Sequence, residues 1–280
     1  MMKILSLNCH CGIKTLRNFA FIATAFLITF SFSGNTNADE NVFPFHTGEK
    51  LTLQAKWGFI AAGEAVLEVL PVEIVNGVKS CHFVMTLKTY PFIDLFYKVR
   101  DRIDSYADVG MTHSILYKEQ KRGRSKKDVV VNINREKREA KYSKNGKMRR
   151  LISILPGSFD PLSVFYAFRI HELKEGLVIN VPVTDGKKCI MGIAKVIKRE
   201  KINVNGRTYD TYLVEPDLEH IGGVFEKSKD AKLQLWVTAD KLQIPVRVKS
   251  KVIVGSFVGD LISAEGIGQG LTLPTKKMPR

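Results

Sequence analysis

The stretch Lys50-Leu51-Thr52-Leu53-Gln54-Ala55-Lys56-Trp57 decides the fold class. Successive side chains of an extended chain point to opposite faces, so Leu51, Leu53, Ala55 and Trp57 share one side and Lys50, Thr52, Gln54 and Lys56 the other. This is the pattern of a strand with one face in a core and one in water. Downstream, Gly58 and Gly63 bracket Phe59-Ile60-Ala61-Ala62, after which Ala65, Leu67 and Val69 alternate with Glu64 and Glu68, which predicts a hairpin. The same alternation recurs over residues 81–90, 127–134, 138–142, 187–197, 208–214, 233–238 and 246–254. Asn145-Gly146, Asp185-Gly186 and Asn205-Gly206 supply turns between such runs. The chain is therefore expected to be mainly β, an antiparallel meander.

Two segments break the alternation. Residues 91–97 are expected to make one or two helical turns. Residues 160–171 form the better helix, with Asp160 as N-cap, Pro161 at the first helical position, and Leu162, Phe165, Tyr166 and Phe168 on the buried side. Both are expected to lie against the sheet as short covering helices.

With 280 residues, 45% hydrophobic and 25% charged, the chain can close a substantial core, which excludes a disordered tail protein. Four cysteines are too few for a disulfide scaffold. Residues 1–38 read as a secretory signal. Lys3, Lys14 and Arg17 make a cationic front, Phe19 to Phe32 an apolar core too short to span a membrane, and Thr36-Asn37-Ala38 a cleavage site before Asp39. The expected product is an exported, periplasmic, soluble chain without a transmembrane span. One β-rich domain over residues 39–265 and a flexible basic tail over 266–280 complete the organisation. Cleavage removes Cys9 and Cys11, leaving Cys81 and Cys189 either to pair or to remain free thiols in apolar strands.

Charge is unevenly placed. The formal net charge is +15, and residues 118–150 hold fourteen Lys or Arg against four acidic residues. Within that stretch Arg122, Arg124, Lys126, Lys127, Arg149 and Arg150 are candidate contacts for an anionic surface. An exported chain meets little nucleic acid, and the stretch lacks interleaved aromatics for base stacking, so nucleic acid is not the expected partner. Lipid phosphate, lipopolysaccharide or acidic glycan fits better. The alternative is a solvated edge hairpin whose lysines discourage strand-to-strand aggregation.

Motifs for chemistry are sparse. Histidines 46, 82, 113, 171 and 220 occur singly, so neither a metal site nor a cofactor is expected. Gly266-Ile267-Gly268-Gln269-Gly270 lacks the dinucleotide spacing. Asp101 and Asp104 face opposite sides of a strand and read as a solvated, arginine-paired face rather than a catalytic pair. Trp236 falls on the polar phase of its strand, which suggests packing against a second layer or contact with a ligand.

Several segments form an ordered set: Gly48-Glu49-Lys50-Leu51, Trp57-Gly58-Phe59-Ile60 followed by Ala62-Gly63, Tyr97 to Asp104, Asp160-Pro161-Leu162-Ser163 with Tyr166 and Arg169, and Leu235-Trp236-Val237-Thr238-Ala239-Asp240 with Ile244-Pro245-Val246. Taken in order, they resemble the bacterial exported family catalogued as domain of unknown function 3108. The resemblance implies an envelope location and a single curved antiparallel sheet or half-open barrel. It brings no established activity, and the basic insertion lies outside its pattern. The functional expectation is a non-catalytic module binding a lipid, acyl-bearing or anionic envelope partner, with Trp57, Tyr166, Arg169 and Trp236 as candidate ligand contacts. The alternative is an envelope hydrolase acting on glycan or lipid through an unrecognised site.

Overall fold

The computed structural model describes residues 43–123, 126–217, 232–252 and 255–267. The expected signal segment, Arg124, His220 and the tail beyond Ile267 lie outside the described residues. Among the described residues fourteen strands form one sheet. They are β1 (Lys50–Trp57), β2 (Ile60–Val75), β3 (Val78–Thr89), β4 (Arg100–Asp108), β5 (Ser114–Arg122), β6 (Lys126–Asn134), β7 (Glu139–Lys144), β8 (Lys147–Ser153), β9 (Val178–Thr184), β10 (Cys189–Val204), β11 (Arg207–Pro216), β12 (Lys232–Thr238), β13 (Pro245–Val252) and β14 (Gly255–Glu265). Two short helices, α1 (Pro91–Asp94) and α2 (Ser163–Phe168), interrupt the series.

The spatial order is β8-β7-β6-β5-β4-β3-β2-β1-β14-β13-β12-β11-β10-β9, antiparallel throughout. Pairing of β1 with β14 puts the first and last strands at the centre, and the free edges are β8 and β9. The sheet does not close into a ladder between them. Instead the segment leading into α2 crosses the gap: Phe159 N–H donates to the Pro182 carbonyl and Thr184 N–H to the Phe159 carbonyl, both at 2.8 Å, while Ser114 N–H donates to Ser158 O at 3.0 Å. The tip of the β9–β10 hairpin meets the other arm of the sheet, where Lys187 Nζ lies 5.4 Å from the Tyr142 ring centroid.

Local chemistry explains the path. At the β2–β3, β7–β8 and β10–β11 turns, Asn76-Gly77, Asn145-Gly146 and Asn205-Gly206 all have positive φ at both positions, the two-residue turn that matches strand twist. Asn76-Gly77 is a turn of the same kind that the sequence analysis did not single out. Pro71 sits where the β2–β3 register shifts between Leu70 and Glu73, and a bulge there dispenses with the N–H that proline lacks. Pro182 lies on edge strand β9 for the same reason.

Three features depart from expectation. The helix of residues 160–171 is shorter, because Pro161 and Leu162 form a turn and regular helix covers only Ser163–Phe168. Helix α1 buries none of its residues and so covers no part of the core. Cys81 and Cys189, by contrast, follow one of the two readings open for them and are free thiols in β3 and β10. Asp104 is not solvated: it is buried, and accepts hydrogen bonds from Arg102 and from His82, whose other ring nitrogen meets Glu73.

Helix α2 lies between two apolar clusters. One contains Phe45, Phe83, Phe159, Leu162 and Tyr166; the other contains Ile179, Val196, Val214 and Val237, with Phe168 packed against it. That position creates the site.

Candidate functional site

Asp160, Ser163, Tyr166 and Arg169 recur every third residue, and all four are buried. They fasten α2 to the sheet at both ends. At the amino end Asp160 Oδ1 accepts from the N–H groups of Leu162 (2.8 Å) and Ser163 (3.0 Å), so it caps the first turn although regular helix begins only at Ser163, three residues later. Its Oδ2 accepts from Ser105 of β4 (2.7 Å) and Ser114 of β5 (2.6 Å). Ser163 also hydrogen-bonds Ser105 through its hydroxyl.

At the carboxyl end Arg169 ties the helix to two other parts of the chain. Its guanidinium donates to both oxygens of Glu49 at 2.5 and 2.9 Å, and to the carbonyls of Leu242 (2.8 Å) and Pro44 (3.2 Å). Between the two clamps Tyr166 stacks on Phe83 with centroids 3.9 Å apart. Burial, together with the Glu49 charge, pushes its phenol well above the usual range.

With the polar side of α2 committed to the sheet, the apolar side is left over a cavity of about 290 Å³. Pro161, Val164, Phe165 and Phe168 form its roof. Alternate residues of neighbouring strands form the floor: Ile179, Val181 and Val183 from β9, Ile190 and Ala194 from β10, Val214 from β11, and Leu233 and Leu235 from β12. Gly192 is also in the wall, where a Cβ would stand 2.9 Å from Val183 Cγ2 and close part of the space. Asp185, Lys188 and Asp217 are the charged residues of the lining. Asp185 Oδ1 accepts from the N–H groups of Lys187 (2.8 Å) and Lys188 (3.0 Å), whereas the Lys188 ammonium has no ion-pair partner among the described residues. The lining contains no hydroxyl, thiol or imidazole among the described residues.

None of the four candidate ligand contacts lines this cavity. Tyr166 and Arg169 are sealed in the packing beneath α2, so their place is structural. Trp57 is half exposed at the end of central strand β1 and stacked on Phe257 of the neighbouring β14, centroids 6.4 Å apart. Trp236 packs against the cluster containing Leu51, Leu53 and Val246 and donates its indole N–H to Glu200 at 2.9 Å. Leu235 and Val237 on either side of it pack together in the cluster containing Ile179 and Val196, so Trp236 stands on the opposite face of β12, just before a register shift.

The basic stretch spans β5 to β8. Arg122 pairs with Asp128 at 2.6 Å and Lys127 with Glu119 at 3.2 Å, while Lys126, Arg149 and Arg150 are exposed. Arg149 and Arg150 stand on edge strand β8, where charge hinders strand addition. Glu49, Ser105 and Ser114, which anchor α2, and Val181, Gly192 and Lys188, which shape the cavity, escaped the sequence reading. The alternation of Ile179, Val181 and Val183 was the available signal for β9.

No helix among the described residues is long and apolar enough to cross a membrane. Of solved structures, the chain is similar to a beta-barrel-like protein of domain of unknown function DUF1849 from Brucella abortus. The TM-score is 0.52 at 9% identity, covering 80% of this chain and 99% of that one. That likeness concerns the fold. A second structure, titled a "putative lipoprotein" from Parabacteroides distasonis, aligns over 79% of this chain and 97% of that one at 11% identity, with a TM-score of 0.33. No curated protein matches the chain. The match that identifies it is to a family model spanning residues 52–262, most of the described sheet: the chain belongs to the family of proteins of unknown function DUF3108.

Proposed function

We propose that the protein is a non-catalytic binding module of the bacterial cell envelope that holds the acyl chain of a lipid or lipid-bearing partner beneath α2. The cavity between α2 and β9–β12 carries this reading. Its volume of about 290 Å³ is close to the lower end of small-ligand sites, and its walls are aliphatic and aromatic. Each methylene buried there contributes about 0.8 kcal/mol. Lys188 offers a cation to an anionic head group, and the lack of a nucleophilic side chain in the described lining favours binding over acyl transfer. Export through residues 1–38 would place the module where such lipids are found.

Native mass spectrometry of protein purified from membranes, before and after lipid extraction, tests the proposal. The expected result is a set of extractable adducts with lipid masses, lost in an Ala194→Phe variant that fills the cavity and keeps the wild-type far-ultraviolet circular dichroism. A clean apo mass for the unextracted wild type overturns it.

A further inference from the structure

An uninterrupted antiparallel meander sends alternate turns to the same rim of its sheet. The β1–β2, β3–β4, β5–β6 and β7–β8 connections therefore share one rim. Contacts join them: Tyr90 N–H donates to the Ala62 carbonyl at 3.0 Å, and Asn145 N–H to the Asp128 carbonyl at 2.8 Å. Gly123 lies so close to Lys98 that a Cβ would collide with its carbonyl oxygen.

Apolar side chains project from the first two of these connections into solvent. Phe59, at the tip of the β1–β2 turn, is fully exposed, and Trp57 beside it is half exposed. Phe92, Leu95, Phe96 and Tyr97, in and after α1, are each more than half exposed. Scattered exposed hydrophobics are ordinary, but a helical turn that buries nothing and presents Phe92, Leu95 and Phe96 together is not.

Lys98, Lys126, Lys144 and Lys147 flank these tips, are exposed, and form no ion pair among the described residues. Of the carboxylates nearby, Asp94 is held by Arg100 at 2.5 Å and Asp128 by Arg122 at 2.6 Å. The rim thus combines convex apolar tips with uncompensated cations. Convex tips separated by lysines do not make a flat face for a protein, and two copies of this face would set like charges against each other.

We propose that this rim docks on an anionic phospholipid bilayer, with the aromatic tips entering the interfacial region and the four lysines meeting lipid phosphates. The β9–β10 turn and the end of β11, which carry the cavity residues Asp185, Lys188 and Asp217, belong to the same rim by the parity of the meander. Docking does not depend on the cavity being occupied.

The test is co-flotation of the protein, as processed on expression in a bacterial host, with vesicles of phosphatidylethanolamine and phosphatidylglycerol at low and high salt, phosphatidylcholine vesicles serving as control. Expected are preference for the anionic vesicles, release at high salt, and at least a tenfold weaker partition for the Phe59→Ser, Leu95→Ser, Phe96→Ser triple variant. A Lys98→Glu, Lys126→Glu, Lys144→Glu, Lys147→Glu variant should lose the anionic preference. Both sets alter exposed side chains, and an unchanged melting temperature certifies folding. Ala194→Phe should float like wild type, which separates this proposal from the cavity reading. Equal flotation of wild type and both rim variants overturns it, as does a wild type that stays at the bottom at low salt. A change in sedimentation coefficient on triple substitution, without a change in flotation, assigns the rim to protein association and also overturns it.

Discussion

Arg169 and Glu49 lie 120 positions apart in sequence and meet as a two-pronged ion pair sealed from solvent, with side-chain exposures of 0% and 2%. The pair joins the carboxyl end of α2 to the residue just before β1, the strand at the middle of the sheet. Removing one member leaves the other charge buried and uncompensated, which costs about 3–5 kcal/mol, more than the intact pair contributes over an apolar substitute. Arg169→Met and Glu49→Leu should each lower unfolding stability by that amount. The double variant should recover a substantial part of the loss. Urea denaturation of all four proteins gives the coupling directly, and strictly additive losses would contradict the pairing.

At the opposite end of α2, Asp160 carries more than an ordinary cap. Asp160→Ala deserts two backbone N–H groups and two serine hydroxyls, all buried. A lost N-cap costs about 1 kcal/mol, and each stranded buried donor adds to that, so a loss of about 2–4 kcal/mol is expected. Asp160→Asn, which keeps an acceptor toward the helix, should lose less. A loss below about 1 kcal/mol for the alanine variant would place Asp160 among ordinary surface caps.

Tyr166 gives the opposite expectation. Its hydroxyl is buried and has no protein hydrogen-bond partner among the described residues, while its ring is gripped by Phe83, Phe45 and Phe165. Removing an unpaired buried polar atom and retaining the ring relieves a desolvation penalty. Tyr166→Phe should therefore be as stable as wild type or more stable by up to about 1 kcal/mol. Tyr166→Ala should lose about 3–5 kcal/mol as a large core ring is deleted. Thermal unfolding of the two variants distinguishes the ring from the hydroxyl.

The parts of this architecture that sequence made visible are those set by neighbours along the chain. Alternation in residues 50–57 and turn chemistry at Asn145-Gly146 and Asn205-Gly206 act within a few residues, and both are present in the sheet as read. Asp160 was recognisable as a cap for the same reason. What escaped depends on contacts across the fold. Nothing near Arg169 announces Glu49, and the first half of β4 reads as solvated until His82 and Arg102 are seen to enclose Asp104. Trp236 falls on the polar phase of its strand, and nothing nearby in sequence shows that this face is covered too: Leu235 lines the cavity while Trp236 packs on a different cluster. The cavity itself is invisible in sequence, because Ile179, Val181 and Val183 would look identical in a filled core.

Asp108 gives a prediction in pH. It ends β4, and its Oδ1 accepts from the backbone N–H groups of Thr112 (2.7 Å) and His113 (2.9 Å) and from the Thr112 hydroxyl (3.0 Å). Partial burial acts to raise its pKa, but hydrogen bonding from His113 and Thr112 outweighs burial and holds the carboxyl well below the usual carboxylate range. A group whose folded pKa is depressed stabilises the fold at pH values above its unfolded pKa of about 3.9, and that contribution falls away as pH drops toward the folded value. Asp108→Asn should therefore cost on the order of 1–2 kcal/mol at neutral pH, since a neutral amide accepts these bonds more weakly than a carboxylate. The difference from wild type should be constant between pH 7 and about pH 5 and shrink progressively below about pH 4. Guanidinium denaturation of both proteins at pH 7, 5, 3 and 2 measures it. A gap that persists unchanged to pH 2, or widens on acidification, would show that the carboxylate charge is not what holds the 108–113 turn.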